Sequence, residues 1–132
     1  MVKQKGQAAI IAITALAVIG LIVATAVAAM SLSEYKMTDE AAKGNEVFTA
    51  TESKMSDLLM RIKKDPSWPP DPLPYSESDP SYLNDVAVEA TIDETDDGLQ
   101  LDTIGTKSSI TRHLRAILYS DTGQVNVFEI EP

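Results

Sequence analysis

AAIIAITALAVIGLIVATAVAAMSL, residues 8–32, contains no charged side chain. As an α-helix it spans roughly 37 Å, enough to cross a hydrocarbon core of about 30 Å. Its polar interruptions, Thr14, Thr25 and Ser31, are short hydroxyls that can bond back to carbonyls of their own helix. Lys3 and Lys5 stand before it and Glu34 after it. The positive-inside rule then predicts a cytoplasmic N-terminus and everything after the run on the other side.

The helical pattern continues past the apolar run. From Ser33 the chain reads SEYKMTDEAAKGNEVFTATESKMSDLLMRIKK, rich in helix formers and free of proline. Met37, Ala41, Gly44, Phe48, Thr51, Met55, Leu58 and Ile62 recur at steps of four and three, widened by Val47 and Leu59. Lys36, Asp39, Glu40, Lys43, Glu46, Lys54 and Asp57 mark the opposite side. Arg61, Lys63 and Lys64 suit the negative end of a helix dipole, and Pro66 stops the helix. From residue 8 to 64 one helix would be roughly 85 Å long. Residues 7–33 are assigned to a membrane segment and 34–64 to its amphipathic continuation.

Residues 65–84 hold six of the seven prolines and are assigned to a stiff, exposed loop whose Trp68, Leu73, Tyr75 and Tyr82 pin it to the domain. Residues 85–132 read as strands. Val86, Val88, Ala90 and Ile92 alternate with polar or small neighbours, Asp97-Gly98 signals a two-residue turn, and Leu99–Thr103 alternates on the way back. Gly105 suggests a break, Ser109–Tyr119 a third strand, Asp121–Gly123 a turn and Gln124–Ile130 a fourth strand. The fold class expected is α+β, with a long N-terminal helix packed on a four-stranded antiparallel sheet. Phe48, Met55, Leu58, Leu59 and Ile62 are the expected helix–sheet contacts.

Charge and composition narrow the function. All twenty acidic residues lie at or after Glu34, against nine basic ones there, so that part carries about −11. Such a surface repels phosphate, and no nucleic-acid binding is expected. Cysteine is absent, which excludes disulfides and thiolate metal sites. The single histidine, His113, has no nucleophile–base set to join, so neither enzyme activity nor a cofactor is expected. Asp93–Asp97 offers oxygens like a calcium loop, but Ile104 occupies the position where the bidentate glutamate belongs, and a solvated hairpin turn accounts for it.

The N-terminus admits three readings. A secretory signal cleaved after the apolar run has Ala26-Val27-Ala28 as a site, although the run is about twice the length usual for such a signal. An uncleaved signal anchor is the second. The third rests on Lys5-Gly6-Gln7, a glycine between a basic leader (residues 1–6) and an unbroken apolar helix. That arrangement resembles type IV prepilins. The resemblance implies cleavage after Gly6 by a prepilin peptidase and N-methylation of Gln7. It extends to EVFTATESKMSDLLMRIKK, where Phe48, Ala50, Glu52, Leu59 and Arg61 match a segment of pilus-assembly minor pilins, with Lys54 or a neighbour where glycine is usual. It also takes in the order DGLQLDTIGTKSSITRHLRAILYS. Ile11 replaces the glutamate usual at the fifth mature position, which fits a minor pilin or pseudopilin better than a bulk filament subunit.

What the resemblance implies is a structural role in a pilus-like filament or a secretion or uptake machine. The partners would be membrane lipid, other pilin subunits and the peptidase. Ile11, Ala12, Ala15, Gly20, Ala24 and Ala28 would pack the helix bundle, small residues permitting close approach. A permanently anchored membrane protein with an extracytoplasmic binding head is the alternative.

Overall fold

The computed structural model describes residues 2–69 and 72–131, with side chains from Gly6 onward. One helix, α1, runs unbroken over Val2–Lys64. Five strands follow: β1 (Tyr75–Leu83), β2 (Val86–Thr95), β3 (Gly98–Lys107), β4 (Ile110–Tyr119) and β5 (Val125–Ile130). They form one antiparallel sheet in sequence order. The chain divides into two compact units, one ending at Glu40 and one beginning at Ala41. The first is helix alone. The second combines the last turns of α1 with the sheet.

The fold class is α+β with a helix packed on an antiparallel sheet, as the periodicity predicts. The sheet has five strands rather than four. The additional strand, β1, is built from residues assigned above to the proline-rich loop. Edge position explains the difference, because an edge strand needs only one side of its backbone for the ladder. Tyr75–Asp79 pairs regularly with β2, whereas Pro80 falls where the register shifts between Asp79 and Leu83. Proline is thus placed where no ladder bond is demanded of it.

Tight turns set the rest of the register. Asn84 (φ 53°) and Asp85 (φ 57°) form a two-residue connection between Leu83 and Val86, both in the left-handed region that such hairpins need. The β2–β3 turn lies one residue earlier than Asp97-Gly98 suggests. Asp96 and Asp97 make it, and Gly98 is already paired with Thr95. Gly98 has φ 150°, and a Cβ there would collide with the Leu118 carbonyl of β4. Glycine is required at that point for the crossing into the sheet rather than for the turn itself.

The core lies between the inner face of the sheet and the last four turns of α1. Met55 and Leu58 pack with Ala90, Ile92, Leu101, Leu114 and Ala116. Val47 and Ala50 pack with Val86 and Val88 in a second cluster. Helix and sheet approach closely at Thr51 and Gly105. Gly105 does not break β3. It sits inside the strand, paired with Val88 and Arg112. A Cβ on it would overlap the Thr51 hydroxyl and lie 3.3 Å from the Val47 side chain and carbonyl. Thr51 turns its hydroxyl onto the Val47 carbonyl (2.6 Å), which removes a buried unpaired donor at this contact.

Gly105→Ala should therefore lower the urea midpoint of the full chain in mild detergent by an amount worth about 1–3 kcal/mol, the usual cost of overpacking. Gly44→Ala should raise it by about 0.5–1 kcal/mol, since a helical glycine is replaced where a Cβ meets only the Arg112 guanidinium at 4.0 Å.

Candidate functional site

The first unit presents an apolar surface. Every large apolar side chain from Ile10 to Leu32 is at least 51% exposed. Covering one such side chain is worth about 1.5–3 kcal/mol, so leaving all of them in water would cost more than a domain's typical stability of about 5–15 kcal/mol. The segment needs a cover. α1 contains one stretch long and apolar enough to cross a membrane. Its two threonines are bonded within the helix. Thr14 donates to the Ile10 carbonyl (2.8 Å), and Thr25 lies 3.0 and 2.9 Å from the carbonyls of Leu21 and Ile22.

The proposed bundle-packing residues do not form one row. At about 100° per residue, Ala12, Gly20, Ala24 and Ala28 fall on one i,i+4 row with Leu16 between the first two, while Ile11 and Ala15 lie round the helix from Gly20. All six are exposed. A Cβ on Gly20 or on Gly6 meets nothing within 4 Å. The Gly6–Gln7 junction is helical and exposed, whereas the side chains of Lys3 and Lys5 lie outside the described residues.

Of the helix–sheet contacts expected from the sequence, Met55 and Leu58 are core, and Leu59 and Ile62 are partly buried against it. Phe48 is 37% exposed, and Val47 and Ala50 hold the contact at its level. The buried stripe is rotated by about one residue from the expected one. The rotation brings in Lys54, which polarity places on the outer side. Its side chain is 7% exposed and faces the sheet.

Lys54 is the centre of an arrangement that sequence reasoning missed. Its Nζ lies 2.5 Å from Glu77 Oε1 on β1 and 5.1 Å from the centroid of the Tyr82 ring. Glu77 Oε2 accepts from Tyr75 (2.8 Å) and from Arg61 (3.3 Å). Arg61 also pairs with Asp57 one turn back (2.8 Å) and stacks over Trp68, which meets Tyr75 edge-on at 5.2 Å. Burial pushes the Glu77 carboxyl up, but its bonds to Lys54 and Tyr75 and the charges of Lys54 and Arg61 outweigh that and hold it below the ordinary carboxylate value. A strand short of apolar residues is thereby fastened to the helix through charge. The available signal was the alternation in Tyr75-Ser-Glu77-Ser-Asp79, large polar residues against serines. At the opposite end Lys107 on β3 bonds Glu46 on α1 and the Asn84 carbonyl (2.7 Å).

The outer sheet face carries a second polar group. Asp102 accepts from Arg115 Nε (2.8 Å) and from Gln100 (2.8 Å), with His113 Nε2 at 3.0 Å. Burial again pushes the carboxyl up, and these partners bring it below the usual range. Asp102 is thus a carboxylate held by Arg115, Gln100 and His113. Among the described residues no three His, Asp or Glu side chains gather as a metal site. Compared with protein-family models, with curated proteins and with solved structures, the chain matches none.

Glu77→Gln should destabilise the sheet by about 1–3 kcal/mol, because it leaves Lys54 without its counter-ion. The double change Lys54→Met with Glu77→Leu should recover most of that loss in the same urea titration. Both Glu77 and Asp102 have folded values depressed below their unfolded ones. Their contribution is therefore full above the ordinary carboxylate range of about 4 and fades as pH falls through the lower folded values. Thermal unfolding should show a melting temperature falling with acidification below about pH 4, less steeply in the double variant.

Proposed function

We propose that this chain is a structural subunit of a type IV pilin-like filament or of a related secretion or uptake machine, in the manner of a minor pilin or pseudopilin. One observation carries the reading. A single uninterrupted helix supplies both an exposed apolar stretch and, in its last turns, the core of an antiparallel sheet. A helix built that way can change what covers its apolar part without unfolding the sheet. Lipid covers it before assembly and neighbouring helices cover it afterwards.

The charge pattern supports an N-terminus in the cytoplasm, a single pass, and the acidic unit outside. Processing after Gly6 would leave Gln7 as the first residue, next to the apolar run and clear of the basic leader. With Ile11 where a pairing glutamate would stand, the new amine has no carboxylate partner at that position. Burial in a long bundle is then costly, and a place at a filament tip or in a short assembly is less so. The reading requires no catalysis and no cofactor.

Intact-mass and N-terminal peptide analysis of the protein purified from membranes tests this directly. The expected mature chain begins at methylated Gln7, and Gly6→Leu should leave the leader attached. A wild-type chain that keeps Met1 would overturn the filament reading and favour a permanent signal anchor.

A further inference from the structure

The two edges of the sheet are unlike. The β1 edge is interrupted by Pro80 and by its register shift. The β5 edge has no such protection. Val125–Ile130 pairs with β4 without a shift, contains neither proline nor lysine, and has no strand on its other side among the described residues. Edge strands of this kind are normally blunted or covered, because their free N–H and C=O groups template further pairing.

The phase of the ladder shows which groups are free. The Tyr119 N–H donates to the Gln124 carbonyl (3.0 Å) at the start of the β4–β5 hairpin. Antiparallel bonding alternates from there. Asn126, Phe128 and Ile130 direct their backbone bonds to β4, and Val125, Val127 and Glu129 direct theirs to the open side. On the inner face of the same strand Val125 is 40% and Val127 53% exposed. Beside Val125 lies a largely apolar groove of about 480 Å³, walled by Leu59, Met60, Ile62 and Lys63 of α1, by Leu118 of β4 and by Gly123. An added strand would complete the ladder and lay its inward side chains along that groove, the geometry of strand addition.

Charge identifies the occupant. Residues 120–131 hold Asp121, Glu129 and Glu131 and no basic residue. Glu129 is already paired with Arg112 (2.8 Å). That leaves Asp121 and Glu131 beyond the two ends of β5, with Val125 and Val127 between them and Lys63 as the cation on the helix wall of the groove. A second copy of this edge would bring like charges together. We propose that the β5 edge binds an extended segment of another protein, apolar at alternate positions and basic at both ends, as a sixth strand. The inference stands on the C-terminal unit alone and does not depend on the filament reading.

The test uses the full ¹⁵N-labelled chain in detergent micelles and two acetylated, amidated peptides, KVTVTVK and EVTVTVE. Saturating KVTVTVK should slow amide exchange at Val125, Val127 and Glu129 by about tenfold or more, leaving Asn126 and Phe128 unchanged, and EVTVTVE should bind about tenfold more weakly. Val127→Pro should abolish binding, since it removes an N–H that faces the open side and none that faces β4. The exchange pattern is read on wild-type protein, so it stands whether or not the proline variant folds. Unprotected amides at saturating KVTVTVK would overturn the proposal. So would equal binding of the two peptides, or protection of the same three amides by protein concentration alone, which would mean that a second copy occupies the edge.

Discussion

Helix α1 and strand β3 touch backbone-close at Thr51 and Gly105, and the arrangement of the C-terminal unit follows from that contact. Apolar clusters lie on both sides of it, one around Val47 and Val88 and one around Leu58 and Ile92. Each is small. Together they hold about three turns of helix on the sheet only if the helix lies low enough for both to close. A side chain at residue 105 would lift it. The polar atoms at the crossing are disposed of locally, Thr51 onto its own helix and Thr103 toward the Thr51 carbonyl (3.5 Å). Close approach therefore leaves no unpaired hydroxyl there.

The low seat of the helix also explains the buried lysine. Once Val47, Thr51 and Leu58 face the sheet, helical spacing brings residue 54 to the same side. Lysine has the reach to cross to β1, and Glu77 meets it there. An apolar residue at 54 would pack, but it would leave Glu77, Tyr75 and Arg61 without their central charge. The pair contributes less to net stability than to choice of partner, because desolvating two ions offsets much of their attraction. It specifies which strand closes that edge of the sheet. A strand of serines and carboxylates has little other means of finding its place.

Most of the fold was legible because two periods, near 3.6 and 2.0, dominate the chain. The long apolar run, the amphipathic continuation and the strands from Val86 to Ile130 all follow from them. The misreadings share a cause. In β1 proline density argues for a loop more strongly than the polar alternation argues for a strand, and only pairing with β2 shows that Pro80 stands where no bond is needed. Polarity alone puts Lys54 outside and Phe48 inside, yet a long cation can be buried when its partner comes from a distant strand, and an aromatic can be exposed when smaller neighbours pack better. Gly105 and Gly98 signalled a break and a turn, and both glycines instead serve close backbone approach. Such contacts are tertiary and leave no local pattern.

One physical term, removal of apolar surface from water, governs both units and is satisfied in different ways. In the C-terminal unit the chain satisfies it internally, and Leu58, Ile92 and Leu101 are wholly buried. Up to Leu32 the same helix leaves its apolar side chains outward, although its threonines are bonded to its own carbonyls. The two parts thus differ in where their cover comes from and not in how their backbone is built. Helical bonding within α1 does not depend on whether lipid or other helices supply that cover. The sheet can keep its structure while the surroundings of the apolar stretch change, which is the property a subunit needs if it is to be stored in a bilayer and used in a bundle.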